Sequence, residues 1–560
     1  MASMVIFAFL LLFVSVALAF PPNSHKSTSP EERRRRDDLA DEVMHSKLPH
    51  KGKSYSIKRT WEAFKETEEE KETAHWLNSA QAIVKEHLSW RQNTKIAKNV
   101  ILFIGDGMSI PTLTAARTYQ GQLEGRNEGS LFWEKFSYTG LVKTYCVDSI
   151  IADSACSATA YLCGVKSNYG TIGVNAKVPR GDCAGQLDKR NHVTSISQWA
   201  QTAGKATGIV TTTRVTHASP AGTFARVANR DWESDFKGPL PNCVNRSLTV
   251  VEENQDPRKC IDIATQLVKE SPGKDFKVIL GGGRREFLPA TTVDDEGAAG
   301  RRLDGVNLIK AWRQDKVARN ATYEYVWNRE SLRKVTDDPG KVDYLLGLFE
   351  SSHCSYYEDA APSDPTLAEM TEAAIKILQQ DSKGYFLFVE GGRIDHAHHD
   401  TYANLALSET VELSKAVELA RKLTSEEDTL IVVTADHAHT MSISGYPDRG
   451  NDILGIAEDS DVDDLPYAVL NYANGPGYKP AGQNGSRYNI TNDDLGGIYY
   501  QYPSLAPRSS ETHGGDDVAV FASGPWSHLF TGTMEQHGIP HLMAYAACMG
   551  QGLTACKRGS

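Results

Sequence analysis

The sequence predicts an α/β fold with a doubly wound, mostly parallel central sheet flanked by helices and one surface insert late in the chain. Three observations carry this expectation. Short, continuously apolar runs recur along the chain, and most end in a cluster of Gly, Asp, Glu or His. Stretches with helical spacing lie between them. Residues 446–510, rich in Gly, Pro, Asn, Asp and Tyr, interrupt the alternation and read as the insert. Apolar runs of four to six residues fit strands buried on both faces. Their alternation with helices implies parallel pairing, and in such sheets ligands collect beyond the carboxyl ends of the strands.

Taken in order, Asn99 to Ile104 leads into Gly105-Asp106-Gly107, and Gly208 to Val210 into a threonine run followed by Arg214 to His217. Phe276 to Leu280 leads into Gly281-Gly282-Gly283. Tyr385 to Val389 leads into Glu390-Gly391-Gly392-Arg393-Ile394-Asp395, and Leu430 to Val433 into Thr434-Ala435-Asp436-His437. Val518 to Phe521 follows His513 instead of preceding it. Leu413, Ala416, Val417 and Ala420 recur at helical spacing. Asp106, Glu390, Asp395, Asp436 and His437 are therefore expected to be neighbours in space.

The ends of the chain differ. The apolar run Met4 to Val16 is short for a membrane span, and Ala17-Leu18-Ala19 matches a small-x-small cleavage pattern. Residues 1–19 read as a signal peptide, so the mature protein is expected to be secreted and extracellular. Residues 20–72 carry Arg33 to Arg36 and Glu68 to Glu70 and read as a solvated extension or a pro-segment. Residues 73–556 form the expected domain and 557–560 a tail. No apolar stretch follows Cys556, so no lipid-anchor signal is expected. Acceptor sequences for N-glycosylation begin at Asn245, Asn320, Asn484 and Asn489.

Composition excludes several classes. The 60 Lys+Arg and 71 Asp+Glu give a net charge of −11, which argues against nucleic acid as a specific partner. Nine cysteines in 560 residues are too sparse for a disulfide scaffold, and an odd count leaves at least one thiol free or paired between chains. No Gly-x-Ser-x-Gly elbow and no Gly-x-x-x-x-Gly-Lys-Ser/Thr loop occurs, which disfavours serine-triad hydrolases and P-loop nucleotidases.

Three constellations carry chemistry. In Asp395-His396-Ala397-His398-His399 a carboxylate and an imidazole four residues apart can meet on one helical face, and both residue types are common zinc ligands. Asp436-His437-Ala438-His439 follows a buried strand, and His513 offers a further imidazole. Asp153-Ser154-Ala155-Cys156-Ser157-Ala158-Thr159-Ala160 places a serine at the start of an Ala-rich helical stretch. Such a serine is a helix cap or, beside a metal, a nucleophile.

These segments, together with Phe103 to Met108, Thr211 to Gly222, Val389 to His399, Thr434 to His439 and Glu511 to Phe521, resemble the alkaline phosphatases of animals. The likeness runs in family order from about His75 to Cys556. It implies hydrolysis of phosphate monoesters, with Ser154 as the nucleophile that forms a phosphoserine and Arg230 as the residue that grips phosphate. It implies a zinc held by Asp395, His399 and His513. A second zinc would be held by Asp106, Asp436, His437 and Ser154, and Mg²⁺ by Asp106, Ser219 and Glu390. Asp153, His217, His396 and His439 would line the site or support its ligands, and His217 and His396 match the animal type, where bacterial relatives carry Asp and Lys. A Ca²⁺ site is implied at Glu296, Phe349, Glu350 and Asp364, which suits oxygen ligands. The resemblance also implies a homodimer, disulfides Cys183–Cys260 and Cys548–Cys556, a free Cys163, and a crown-like role for the insert. Cys146, Cys156, Cys243 and Cys354 receive no partner. The charged extension, Cys156 beside the nucleophile and the lack of an anchor signal depart from the mammalian pattern.

The implied cations reconcile an acidic protein with an anionic substrate. Two Zn²⁺, one Mg²⁺ and Arg230 outweigh the carboxylates of Asp106, Asp153, Glu390, Asp395 and Asp436 by two charges. The alternatives within enzymes are sulfatases and nucleotide phosphodiesterases. Outside them stands a catalytically inactive, secreted calcium-binding or matrix protein on the same scaffold.

Overall fold

A computed structural model describes residues 67–235, 260–482 and 484–556. The signal-like residues 1–19, most of the 20–72 extension, Asn245, Cys243 and the 557–560 tail lie outside the described residues.

The strands, in chain order, are β1 (Asn99–Gly105), β2 (Tyr138–Lys143), β3 (Ala206–Arg214), β4 (Val278–Gly282), β5 (Tyr323–Val326), β6 (Tyr344–Leu348), β7 (Tyr385–Gly391) and β8 (Thr429–Ala435). Then follow β9 (Ala438–His439), β10 (Met441–Ile443), β11 (Ile456–Asp459), β12 (Pro466–Ala468), β13 (Leu470–Gly475), β14 (Ser504–Pro507), β15 (His513–Gly514), β16 (Val518–Ser523) and β17 (Gly532–Glu535). Ten of them form one sheet in the order β17-β2-β16-β8-β1-β7-β3-β4-β6-β5. Only β16 runs against the others. The continuously apolar runs are the central strands, and β1, β4, β7 and β8 are buried at every position.

Seven helices matter here: α1 (Thr73–Ser89), α2 (Ile110–Leu123), α3 (Ser154–Cys163), α4 (Leu367–Leu378), α5 (Arg393–His399), α6 (Ala403–Leu423) and α7 (Ile539–Ala547). In α6 the residues Leu413, Ala416, Val417 and Ala420 are all buried, as their spacing predicts. Helix α6 packs against α2, α4 and β7, whereas α3 packs against α7. Helix α1 buries none of its residues.

Residues 446–510 contribute the small sheet β10-β13-β14, together with residues just before the insert, and the pair β11-β12. Among the described residues no helix is long and apolar enough to cross a membrane. Disulfides join Cys183 to Cys260, Cys548 to Cys556 and, unassigned by the sequence, Cys146 to Cys156. Cys163 and Cys354 are free.

Candidate functional site

The register of the central strands assembles the site. Gly105 of β1 stands opposite Gly391 of β7 and Ala435 of β8. The next residues, Asp106 and Asp436, therefore leave the sheet at the same level. Glu390, one step earlier, stands opposite Ile104 and Thr211. Asp395 and His399 follow on α5, one turn apart on one face. Gly107 has φ +69°, and a Cβ there would stand 2.4 Å from the His439 ring. The Asp106 turn therefore approaches the histidine cluster only because it has no side chain at this position.

Ser154 is the first residue of α3. Asp153 is the N-cap: its side chain accepts from the Cys156 backbone N–H at 3.2 Å. The serine hydroxyl is thus not spent on capping. Ser154 Oγ lies 3.4 Å from Asp106 Oδ1 and 3.2 Å from His437 Nε2. His437 Nε2 also lies 3.5 Å from Asp106 Oδ1 and 3.1 Å from Asp436 Oδ2. Asp153 holds Arg230 as well, through a 2.9 Å bond from Arg230 Nη1. This carboxylate overcomes the effect of burial and keeps the guanidinium firmly charged. Arg230 Nη2 donates to His217 Nε2 at 3.2 Å.

A second cluster adjoins the first. His399 Nδ1 donates to the Glu511 carbonyl at 2.6 Å and His513 Nδ1 to the Ala152 carbonyl at 2.7 Å. These bonds commit each ring proton to Nδ1. The two Nε2 lone pairs then face each other at 3.1 Å and lie 3.4 and 3.3 Å from Asp395 Oδ1. Four-coordinate zinc with bonds of ~2.0–2.1 Å holds its ligand atoms ~3.3 Å apart, so both clusters fit that ion. Burial keeps His399 and His437 below the usual histidine range, which leaves them neutral and able to ligate.

A third set consists of Asp106 Oδ2, Ser219 Oγ and Glu390 Oε1, all buried without a hydrogen-bond partner. Three oxygens of this kind fit a hard cation such as Mg²⁺. Burial, then repulsion among the acids, pushes Asp106 and Asp436 above the carboxylate range. Burial raises Glu390 to about 7 despite hydrogen bonds from Thr211 and Thr213. At the calcium candidate, burial raises Glu350, with Glu296 and Asp364 adding to it. Glu296 also pairs with Arg284 at 2.8 Å.

Not every residue of the histidine-rich motif joins the site. His398 turns away and bonds Thr112 Oγ1 and Tyr472 Oη, both at 2.9 Å. His396 bonds Arg393 and meets the rings of His217 and His353. His439 bridges Asp395 (2.8 Å) and Glu511 (2.5 Å), and against the effect of burial these carboxylates raise it to about 10.

Sequence reasoning missed three supports. Glu511 anchors His439 by its side chain and His399 by its carbonyl. The Ala152 carbonyl orients His513. His353 bonds Arg214 at 2.5 Å and packs on His217 and His396. The motif Glu-x-His at 511–513 was the available signal for Glu511; for the other two the sequence offered none.

A serine freed from capping, set among convergent cation ligands at the end of a parallel sheet, defines the class of metal-assisted α/β hydrolases. Within that class the family model "Alkaline phosphatase" matches residues 97–549. The chain belongs to the alkaline phosphatase family, and its activity is metal-dependent hydrolysis of phosphomonoesters. It is 51% identical over 495 residues to a membrane-bound alkaline phosphatase of Bombyx mori, covering 87% of each chain. It is 46% identical over 503 residues to the human tissue-nonspecific isozyme, covering 88% of this chain and 92% of that one. The alkaline phosphatase of the Antarctic bacterium TAB5 shares the fold with a TM-score of 0.56 at 21% identity, over 82% of this chain and all of that one. The Thermus thermophilus enzyme gives 0.55 at 24% identity, over 81% and 92%.

Proposed function

We propose that Ser154 attacks the phosphorus of a phosphomonoester and carries it as a phosphoserine. In this reading Asp395, His399 and His513 hold one Zn²⁺, Asp106, Asp436 and His437 hold a second next to Ser154, and Asp106, Ser219 and Glu390 hold Mg²⁺. The observation that carries it is the 3.1 Å approach of two imidazole lone pairs whose protons are committed elsewhere, an arrangement that repels unless a cation lies between them.

When bound, the cations neutralise charge and lower the pKa of a hydroxyl or water beside them. The protein's own groups do the rest. Asp153 caps α3, so the Ser154 hydroxyl remains available at a helix N-terminus, where an anion is favoured. Arg230, oriented by Asp153 and His217, offers planar paired donors to two phosphate oxygens. His439 keeps Asp395 turned to its cation, and Glu511 keeps His439 in place. The alcohol leaves on the His399/His513 side, and a water entering from that side hydrolyses the phosphoserine to inorganic phosphate.

The finer assignments complete the proposal. Glu296, Glu350, Asp364 and the Phe349 carbonyl hold Ca²⁺, supported by the proximity of the three acids. The protein is a secreted homodimer, which the signal-like first 19 residues and the exposure of Asn320, Asn484 and Asn489 support for secretion, and family resemblance supports for the dimer.

Metal analysis of the purified protein alongside turnover tests the site. Two zinc and one magnesium per chain are expected, with turnover lost on chelation and regained with zinc. Full turnover in protein that holds no zinc would overturn the assignment.

A further inference from the structure

The loop between β2 and α3 presents a row of apolar side chains to solvent. Val147 is 56% exposed, Ile150 87% and Ile151 38%. Three large apolar side chains exposed within five positions exceed the single scattered apolar residues normal on a protein surface. Their place in the chain suggests a use. Ile150 and Ile151 lie four and three residues before Ser154, within about 14 Å along even a fully extended backbone.

The loop is rigidly built. Cys146 is bonded to Cys156 in the first turn of α3. The Cys146 N–H donates to the Ser149 carbonyl at 3.0 Å, and Ser149 Oγ donates to the Ile151 carbonyl at 2.8 Å. Tyr169 N–H donates to Asp148 Oδ1 at 2.8 Å, and the Ala152 carbonyl receives His513 Nδ1. An element so tied does not fold its isoleucines away.

The loop also adjoins the less buried cluster of the site, through the Ala152 carbonyl on His513 Nδ1. His437 is fully buried, whereas the His399 side chain is 30% exposed and that of His513 11%. Ile151 lies beside the segment that follows His513: a Cβ added at Gly515 would stand 3.3 Å from Ile151 Cγ1. In the reading given above the alcohol leaves on the His399/His513 side, and the Ala152 carbonyl of this loop is bonded to His513.

We propose that Ile150 and Ile151 form an apolar subsite for the alcohol portion of the substrate, so that this enzyme favours phosphomonoesters of aliphatic or aromatic alcohols over those of small polar ones. The subsite rests on the reading of Ser154 and the His399/His513 cluster given above. Val147 extends the same surface. The patch adds affinity for the organic group and leaves the phosphate contacts of Arg230 untouched.

The test compares the metal-loaded wild-type enzyme with Ile150→Ser and with Ile150→Ser/Ile151→Ser. Hexyl phosphate and ethyl phosphate have leaving groups of equal basicity, so their kcat/KM ratio reports the subsite alone. The wild type is expected to favour hexyl by about tenfold or more, and the double variant by less than about threefold, with ethyl phosphate turnover unchanged. Calorimetric binding of hexylphosphonate against ethylphosphonate, neither of which has a scissile ester, should show the same loss. A ratio equal in wild type and variants overturns the proposal. So does a variant that changes oligomeric state while keeping the hexyl preference, which would make the patch an interface with a second copy. Failure of the wild type to hydrolyse ethyl phosphate would count against the site assignment instead, and the phosphonate measurement would still decide the subsite.

Discussion

Removing the Cys146–Cys156 bond separates stability from site geometry in one experiment. The two cysteines are ten positions apart and close a loop of 11 residues. Chain entropy then assigns the bond ~2.8 kcal/mol at 25 °C. For a domain of this size an unfolding entropy near 1 kcal/mol/K translates that loss into a midpoint lowered by roughly 3 °C. The loop also carries Ala152, whose carbonyl orients His513, and Asp153, which holds Arg230 and caps α3. Cys146→Ser/Cys156→Ser should therefore also release zinc to a chelator faster and lose turnover by about tenfold, the equivalent of one hydrogen bond of ~1.4 kcal/mol. The Cys548–Cys556 pair is the control. It closes a nine-residue loop after α7 worth ~2.6 kcal/mol and touches none of the site residues. Calorimetry, zinc release and steady-state turnover on both double-serine variants complete the assay. Equal midpoint losses with altered kinetics only in Cys146→Ser/Cys156→Ser are expected. Unaltered zinc release and turnover in that variant would refute the argument that the bond positions the site.

Ser154→Ala should retain its zinc, lose turnover by at least about a thousandfold and take up no covalent phosphate from labelled substrate; near-normal hydrolysis of an aryl phosphate by this variant would remove Ser154 from its role. Arg230→Ala should weaken inhibition by inorganic phosphate by about 10- to 100-fold, the cost of a charged hydrogen-bonding group, with metal content unchanged. A fourth prediction concerns pH. Glu390 is raised from 4.5 to about 7, chiefly by burial. A raised carboxyl contributes stability in its protonated form, and the contribution is lost as pH rises through the folded value. Chelated protein should therefore lose ~3 kcal/mol between about pH 4.5 and 7.5 from this group, and added Mg²⁺ should restore it above pH 7. The difference between wild type and Glu390→Gln in chemical denaturation isolates the effect; an identical pH slope in the two would rule it out.

The centre of the sheet was legible because burial on both faces leaves an unbroken apolar run, as in β1, β7 and β8. The edges were not. Strands β2 and β5 have exposed positions between buried or partly buried ones, and β17 buries no residue fully; over four to six residues such patterns are too short to distinguish from loop. Nor did the run at Val518 to Phe521 disclose that β16 is the antiparallel strand, since direction depends on how the chain arrives and not on the strand's own residues. Within the site, Asp395 and His399 were legible from helical spacing, and the same spacing explains why His398 points elsewhere. The Cys146–Cys156 bond had no comparable signal, because the turn at Cys146 to Ser149 that brings the thiols together leaves no periodic trace.

The strongest coupling between fold and chemistry lies in the register. Asp106 and Asp436 meet around one cluster because Gly105 stands opposite Ala435, and Glu390 joins them because it stands opposite Ile104. A slip of one residue between β1 and β8 would displace Asp106 by ~3.3 Å along the strand and turn it to the other side of the sheet. A zinc–oxygen bond tolerates only about 0.2 Å. The side chains that prevent the slip are Val100 to Ile104 and Leu430 to Val433, all fully buried. They touch no substrate, yet their packing fixes the ligand positions more closely than any contact within the site. The carboxyl groups of Asp106 and Asp436, raised above the carboxylate range by burial and by the acids around them, would drift apart as carboxylates if left to their own repulsion. The apolar core holds them in place, and divalent cations held there, as proposed, would relieve that repulsion.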